Sequence, residues 1–530
     1  MSIVIYLLVL YILVCLTLSR LFAKAGISAS KAWIPGVNFM EWCDLIGRPR
    51  WWAALLLLPI VNIFIYCGMA VDMVRSFGQY KFMDSFWAVV FTPYIFWKIG
   101  STDQISYVGK TLELEADYAR QILEATEAKD DYLVKKLTFN NPYKKTEIRE
   151  WTEAIVFAVF AASFIRMFLI EAYVIPTSSM ESSLLVGDFL FVSKANYGIR
   201  TPQTVASIPL LHNRLPFNLG ESYLRNPSLG YHRFFKFEDI KRNDPVVFNY
   251  PEGDSVFIRP ERTYSIHDYR RFGVFSNPNS EALMNEMVVR PMDKMDFYIK
   301  RCVAVAGDSI KVIDKQLYLR TPSTQWEAAI NAPNQQLQYT VKAKGGGPVN
   351  TAKLDEIGVN ITDTDYRNNQ FNLNKTQVAQ LKAMGAEVTD GQRQESFPTY
   401  FFPHDTTRFK WDADHFGPLY IPKAGESISL TPANMCVYRR TIQVYEGNDL
   451  KEADGKVYIN GVESTTYTFK LNYYWMMGDN RHNSEDARVW GFVPETHVVG
   501  KPLFIWFSTK GASITNGIRW RRIFTGAYKM

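Results

Sequence analysis

Apolar residues are spread unevenly along this chain. Long runs crowd the first 175 positions, and short runs of alternating texture take over after position 187. Four early segments predict membrane helices: 3–18 (IVIYLLVLYILVCLTL), 51–71 (WWAALLLLPIVNIFIYCGMAV), 85–100 (SFWAVVFTPYIFWKIG) and 151–170 (WTEAIVFAVFAASFIRMFLI). The third is short and interrupted by Pro93. A cleaved signal peptide competes for the first. Against it, no basic stretch precedes the run, and Ser19-Arg20-Leu21 is a poor small-residue cleavage site. Arg166 lies near one end of the fourth run, where it can snorkel to the interface.

Basic residues orient these spans. Arg20, Lys24, Lys31, Arg48 and Arg50 surround the first loop, and Lys135, Lys136, Lys144, Lys145 and Arg149 crowd the entrance to the fourth span. The loop between spans two and three holds only Arg75 and Lys81. The positive-inside rule then puts 20–50 and 101–150 in the cytoplasm and everything after about 170 outside. The loop 101–150 is rich in Ala, Glu, Leu and Lys and predicts a solvated or membrane-surface helix.

From 187 onward, β-branched and aromatic runs bounded by Gly, Asp and Pro predict strands, as in GDFLFVSK, DPVVFNYP, DFYIKRCVAVAGDSIKVI and KPLFIWFS. DGKVYINGVE (454–463) is a hairpin signal with an Asp-Gly or Asn-Gly turn. Two stretches, near 201–240 and 332–400, look like insertions. The second has a helix pattern at 374–386 with Asn374 as N-cap. The expected architecture is a membrane protein: N-terminal transmembrane helices followed by a mostly antiparallel β extracytoplasmic domain with insertions. Its expected parts are a membrane region 1–100 with about three spans, a helical loop 101–150, a transmembrane helix 151–172 and a β-rich domain 173–530.

Composition narrows the function classes. Hydrophobic residues make up 47% and aromatics 15% of the 530 residues, enough for several cores, and the net charge is +6. No concentrated basic stripe suggests nucleic-acid binding. The cysteines, Cys15, Cys43, Cys67, Cys302 and Cys436, form no CxxC pair and no zinc spacing. Free thiols fit best, with a Cys302–Cys436 pair left open.

Five hydroxyls fall at Thr177, Ser178, Ser179, Ser182 and Ser183, directly after the last apolar run. Such a cluster reads as a turn, or as a turn that holds a nucleophile. A nucleophile needs a base. His212, His232, His267, His404, His415, His482 and His497 read as surface or loop residues, and the GxSxG elbow is missing. A lysine becomes a base when desolvated. In FYIKRCVAVAG (297–307), Lys300 shares a strand face with Tyr298, Cys302 and Ala304, while Arg301 points the other way. An edge-strand lysine that snorkels fits the same pattern. The polar stretch 476–494 (MMGDNRHNSEDARVWGFVP) fits a calcium loop poorly, because Arg481 takes a ligand position and the sixth-position glycine is missing. It fits a buried network better, with Asp486 and Arg488 as a pair.

In order, the segments IPTSSMESSLLVGDFLFVSKANYG, RNDPVVFNYP, YIKRCVAVAGD and GDNRHNSEDARVWGFVP resemble the motifs of bacterial type I signal peptidase, the membrane-bound serine/lysine protease family. The resemblance covers most of 150–310 and 410–510. It implies a serine endopeptidase that removes signal peptides from preproteins at the outer face of the cytoplasmic membrane, without a cofactor or metal. It implies Ser179 as nucleophile, Lys300 as general base, Thr177 as oxyanion donor and Ser484 as the residue orienting the lysine. Asp479, Arg481, Asp486 and Arg488 match a structural network. Ile175, Met180, Leu184 and Ile299 match positions near pockets for small side chains. Asn243 stands where Gly is usual, Ser182 where Pro is frequent and Ala487 where Ser is frequent. Implied partners are preproteins and the lipid bilayer, with translocation machinery left open. A membrane-anchored autoprotease and a non-catalytic scaffold remain as rival readings.

Overall fold

The computed structural model describes the chain apart from residues 1, 58–60, 145–146, 205–206, 209, 212, 214, 216–219, 227, 260–261, 273–285, 362–368, 392–399 and 528–530. His212 therefore lies outside the described residues. Two compact units divide the chain, Met1–Ala161 and Ala162–Met530.

The first unit is helical. α1 (Ser2–Lys24) carries the first apolar run, and Leu18, Leu21 and Phe22 on it share a core with Trp42, Met73 and Phe96. α2 (Val61–Ser76) holds the later part of the second run. The third run, expected as one span, is two helices instead: α3 (Phe82–Val90, 9 residues) and α4 (Thr92–Ser101, 10 residues). Pro93 has no N–H to give the carbonyl four positions back, so the helix breaks at Phe91. Each half is too short for a hydrocarbon layer of about 30 Å. The Ala/Glu-rich loop forms α5 (Thr111–Glu127) and α6 (Asp131–Phe139), the latter capped by the Asp130 side chain, which accepts from Leu133 N–H. α7 (Glu147–Phe164) takes up the fourth run and continues through one π turn, Ile165–Leu169. Arg166 in that turn pairs with Glu171 at 2.7 Å. Among the described residues, no helix is long and apolar enough to cross a membrane. The four expected spans therefore rest on the sequence pattern.

The second unit is built on an eight-stranded sheet. Its first strands are β1 (Ile170–Val174), β2 (Asp188–Ser193), β3 (Pro245–Asn249) and β4 (Phe297–Ala304). The stretch 332–400, read from the sequence as an insertion, follows and holds β5 (Gln336–Lys342), β6 (Gln370–Asn374), α8 (Lys375–Ala383) and β7 (Glu387–Asp390). The sheet is completed by β8 (Tyr473–Met477), β9 (Val493–Pro494), β10 (Val498–Ser508) and β11 (Thr525–Gly526). The order is β1-β2-β10-β3-β4-β8-β9, with β11 on β10, and the pairings are antiparallel.

Alternation along the strands builds a core on each face. Val246 and Phe248 join Cys302, Met476 and Trp490, while Val247 between them joins Ile175, Met180, Leu184 and Ile505. This stretch has its own small core of Val341, Leu354, Phe371, Leu373 and Leu381. Asn374 caps α8 as expected, in a capping box with Gln377. The expected hairpin forms as well. Lys456–Ile459 pairs with Leu450–Ala453 and with Val462–Glu463. Both turns, Asp454-Gly455 and Asn460-Gly461, have positive φ throughout, as type I′ turns need. All five cysteines are free, so Cys302 and Cys436 do not pair.

Candidate active site

The hydroxyl cluster is a turn at the end of β1, an edge strand. Ile175 closes a pair of backbone hydrogen bonds with the start of β2: its N–H donates to Asp188 O and its carbonyl accepts from Gly187 N–H, each at 2.9 Å. Ser178–Met180 then form one 3-10 turn with Thr177 as an extended N-cap. The first N–H groups of such a turn have no partner within it. The Thr177 side chain makes no capping bond, so its hydroxyl is not spent there. It lies 3.5 Å from Ser179 Oγ.

β4 delivers the lysine. Lys300 Nζ donates to Ser179 Oγ at 2.6 Å, across 121 positions of sequence. Both residues are buried, at 4% and 9% exposure. Burial is the main reason the ammonium is lowered to about 8, against the opposing pull of Asp486, Glu485 and Asp479. The uncharged surroundings expected on the lysine's own strand face are therefore incomplete: carboxylates reach its neighbourhood from the 479–486 loop. Desolvation still wins, so the neutral amine makes up roughly a tenth of the population at pH 7 and the majority above about pH 8.

That loop is held from behind. Arg301 grips Asp479 with Nε at 2.7 Å and Nη2 at 2.5 Å. Asp486 accepts from Arg488 Nε at 2.9 Å, Arg488 Nη2 at 2.7 Å and Gly478 N–H at 3.0 Å. Burial pushes the Asp486 carboxyl up, but the Arg488 charge and these N–H donors outweigh it and hold it below its usual range. Arg481 donates to Gly478 O at 3.1 Å. With Asp479 and Asp486 each paired to an arginine, the calcium-loop alternative loses its central ligands. Asn480 N–H donates to Ser179 O at 3.1 Å and its side chain to Ser178 O at 3.3 Å, which ties the loop to the nucleophile turn.

Two expectations change here. Among the described residues, Ser484 Oγ donates to Glu485 O at 3.3 Å and makes no hydrogen bond to Lys300. It faces the same cleft, separated from Ser179 by Gly478: a Cβ on that glycine would meet Ser484 Oγ at 2.2 Å and Ser179 O at 2.6 Å. Leu184 is fully buried in the core and does not line the cleft, whereas Ile175, Met180 and Ile299 do. His482 is a loop residue as expected, and its loop places it on the cleft wall. Its Nε2 meets Asp414 at 2.8 Å and its Nδ1 accepts from Gln338 N–H at 3.2 Å, so neither nitrogen is free to serve Ser179. Arg301 and Asn480 were missed as site-holding residues. Both sit beside recognised positions, but Asp479 lies 178 residues from Arg301 and Ser178 lies 302 from Asn480, beyond what local pattern reveals.

The cleft in front of Ser179 and Lys300 encloses about 770 Å³. Apolar groups from β1 and β4, among them Tyr173, Phe297 and Ile299, form one wall, and Arg262 and Glu485, paired at 3.0 Å, stand on its polar side.

The signal peptidase, peptidase S26, profile matches residues 148–419 and 421–507. The chain belongs to that family. As a type I signal peptidase it is a serine endopeptidase. Signal peptidase I of Haemophilus influenzae is 24% identical over 379 residues, covering 70% of this chain and 73% of that protein. Signal peptidase I of Aquifex aeolicus is 22% identical, covering 67% and 83%, and that of Helicobacter pylori 23% identical, covering 71% and 90%. Residues 30–110 match a separate family of unknown function, DUF5684, so the signal peptidase here carries an N-terminal part outside the peptidase match.

Proposed function

We propose that this signal peptidase cuts N-terminal signal peptides from exported preproteins with Ser179 as nucleophile and Lys300 as general base. The 2.6 Å contact between these two buried groups carries the reading. With the lysine neutral, the hydrogen bond reverses and the serine hydroxyl donates. Lys300 takes that proton as Ser179 Oγ adds to the scissile carbonyl. The Ser179 N–H and the Thr177 hydroxyl receive the developing oxyanion, where one donor is typically worth ~2.7–4 kcal/mol. The Lys300 ammonium protonates the leaving amine, the C–N bond breaks and an ester on Ser179 remains. Water, giving its proton to Lys300, hydrolyses the ester. Ile175, Met180 and Ile299 supply the apolar wall against which small side chains of the substrate rest. Ser484, one glycine away from the serine, bounds the same space, and Asp479, Arg481, Asp486 and Arg488 hold the loop that does so.

The peptidase is anchored by several passes in the cytoplasmic membrane with its site outside, where the substrate's own apolar segment shares the bilayer. Large apolar side chains turned outward on α1 (Leu8, Val9, Ile12, Leu16) and α7 (Trp151, Ile155, Phe157), between 45% and 70% exposed, support this. The test uses purified protein in detergent with a preprotein. Ser179→Ala and Lys300→Ala are expected to abolish cleavage. If each cuts as fast as wild type, the dyad is wrong. A reporter fused after residue 200 is expected outside, and its signal from the cytoplasm would overturn the topology.

A further inference from the structure

The insertion touches the nucleophile turn directly. Gln336 and Asn374 are opposite partners at the paired ends of β5 and β6. Both side chains converge on one oxygen: Gln336 Nε2 donates to Ser182 Oγ at 2.8 Å and Asn374 Nδ2 donates to it at 3.2 Å. Ser182 sits three residues beyond Ser179 with φ of +69°, a left-handed conformation that costs a non-glycine residue and that proline, fixed near −65°, cannot adopt. The backbone of Gln336 is engaged as well. Its N–H donates to Asp479 O at 2.8 Å and its carbonyl accepts from Arg481 N–H at 3.1 Å. One buried residue of the insertion thus grips both the serine turn and the loop that binds Ser178 and Ser179 from behind. Asn374 is held in turn by its own helix, since its Oδ1 accepts from Gln377 N–H at 2.9 Å and leaves Nδ2 aimed at Ser182.

We propose that the 332–400 insertion is a positioning element of the active site, in which Gln336 and Asn374, acting through Ser182, fix the turn that aims Ser179 at Lys300. This rests on Ser179 being the nucleophile. The insertion makes rigid a turn whose left-handed residue would otherwise be free to relax, and an error of about 1 Å in such a geometry costs up to about 100-fold in rate.

The test uses the full chain in detergent with a preprotein substrate and compares Ser182→Ala, the pair Gln336→Leu/Asn374→Ser, and the triple variant. Serine at 374 keeps an N-cap oxygen for α8 while removing the donor. The expected result is a fall in kcat of about tenfold or more with KM within about twofold. The triple variant is expected to be no worse than Ser182→Ala, because all three residues act through one oxygen. Variants with kcat within about twofold of wild type, while Ser179→Ala is inactive, overturn the clamp and leave the dyad standing. Losses that add in the triple variant overturn it too, as do losses that disappear when the assay is run well below each variant's melting temperature. Wild-type cleavage by Ser179→Ala would instead remove the reading on which the clamp rests.

Discussion

Arg301 and Asp479 form a two-point ion pair sealed from solvent directly behind the serine and lysine, with side chains only 4% and 0% exposed. The same arginine donates to Asn243 O at 2.7 Å, so β4, the segment before β3 and the 479–486 loop meet at one guanidinium. Cutting one partner leaves the other charge buried. Asp479→Ala is expected to cost about 3–5 kcal/mol of stability. Denaturant unfolding of the wild type and variant measures it, and a loss under about 1 kcal/mol would show that the pair is not what holds the loop.

At Gly478 no side chain fits. Its absent Cβ would lie 2.6 Å from the Ser179 carbonyl, a backbone atom that cannot swing aside. Gly478→Ala is expected to push the nucleophile turn away from Lys300 and to lower kcat by about tenfold or more, at a stability cost of about 1–3 kcal/mol. Steady-state kinetics beside a melting curve separates the two effects, and an unchanged kcat would mean that the turn accommodates the methyl without moving.

Ile299 stands beside Lys300 on β4 and faces the cleft, half-buried. Trimming it to alanine is expected to widen the apolar wall. The ratio of kcat/KM for preproteins with Val against Ala before the cut is expected to rise about tenfold. A ratio that does not change would place the selecting contact elsewhere in the cleft.

Much of this site could be read from the sequence because each motif is local. The turn at Thr177–Met180 follows an apolar run, Lys300 lies in a strand pattern, and Asp486 and Arg488 are two residues apart. Asn374 was identifiable as an N-cap from the pattern that follows it. What could not be read depends on distant chain meeting in space. Arg301 was assigned to the face away from chemistry, yet it anchors Asp479. His482 is the loop residue it reads as, but its hold on the cleft wall comes from Asp414 and Gln338, far away in sequence. Leu184 shares a motif with Ser179 but belongs to the core. The third apolar run was long enough in composition to suggest a span, but Pro93 removes one donor and divides it.

The central claim is that a desolvated, neutral Lys300 activates Ser179, and the pH dependence of kcat/KM on a preprotein tests it most directly. The working form is the unprotonated amine, and burial lowers its ammonium to about 8. Going up in pH, kcat/KM is expected to climb about tenfold per unit below that point and to level off about one unit above it. A profile flat from about pH 6 to 10, outside the range where an ordinary lysine with a pKa near ~10.4 would be neutral, would contradict a lysine base.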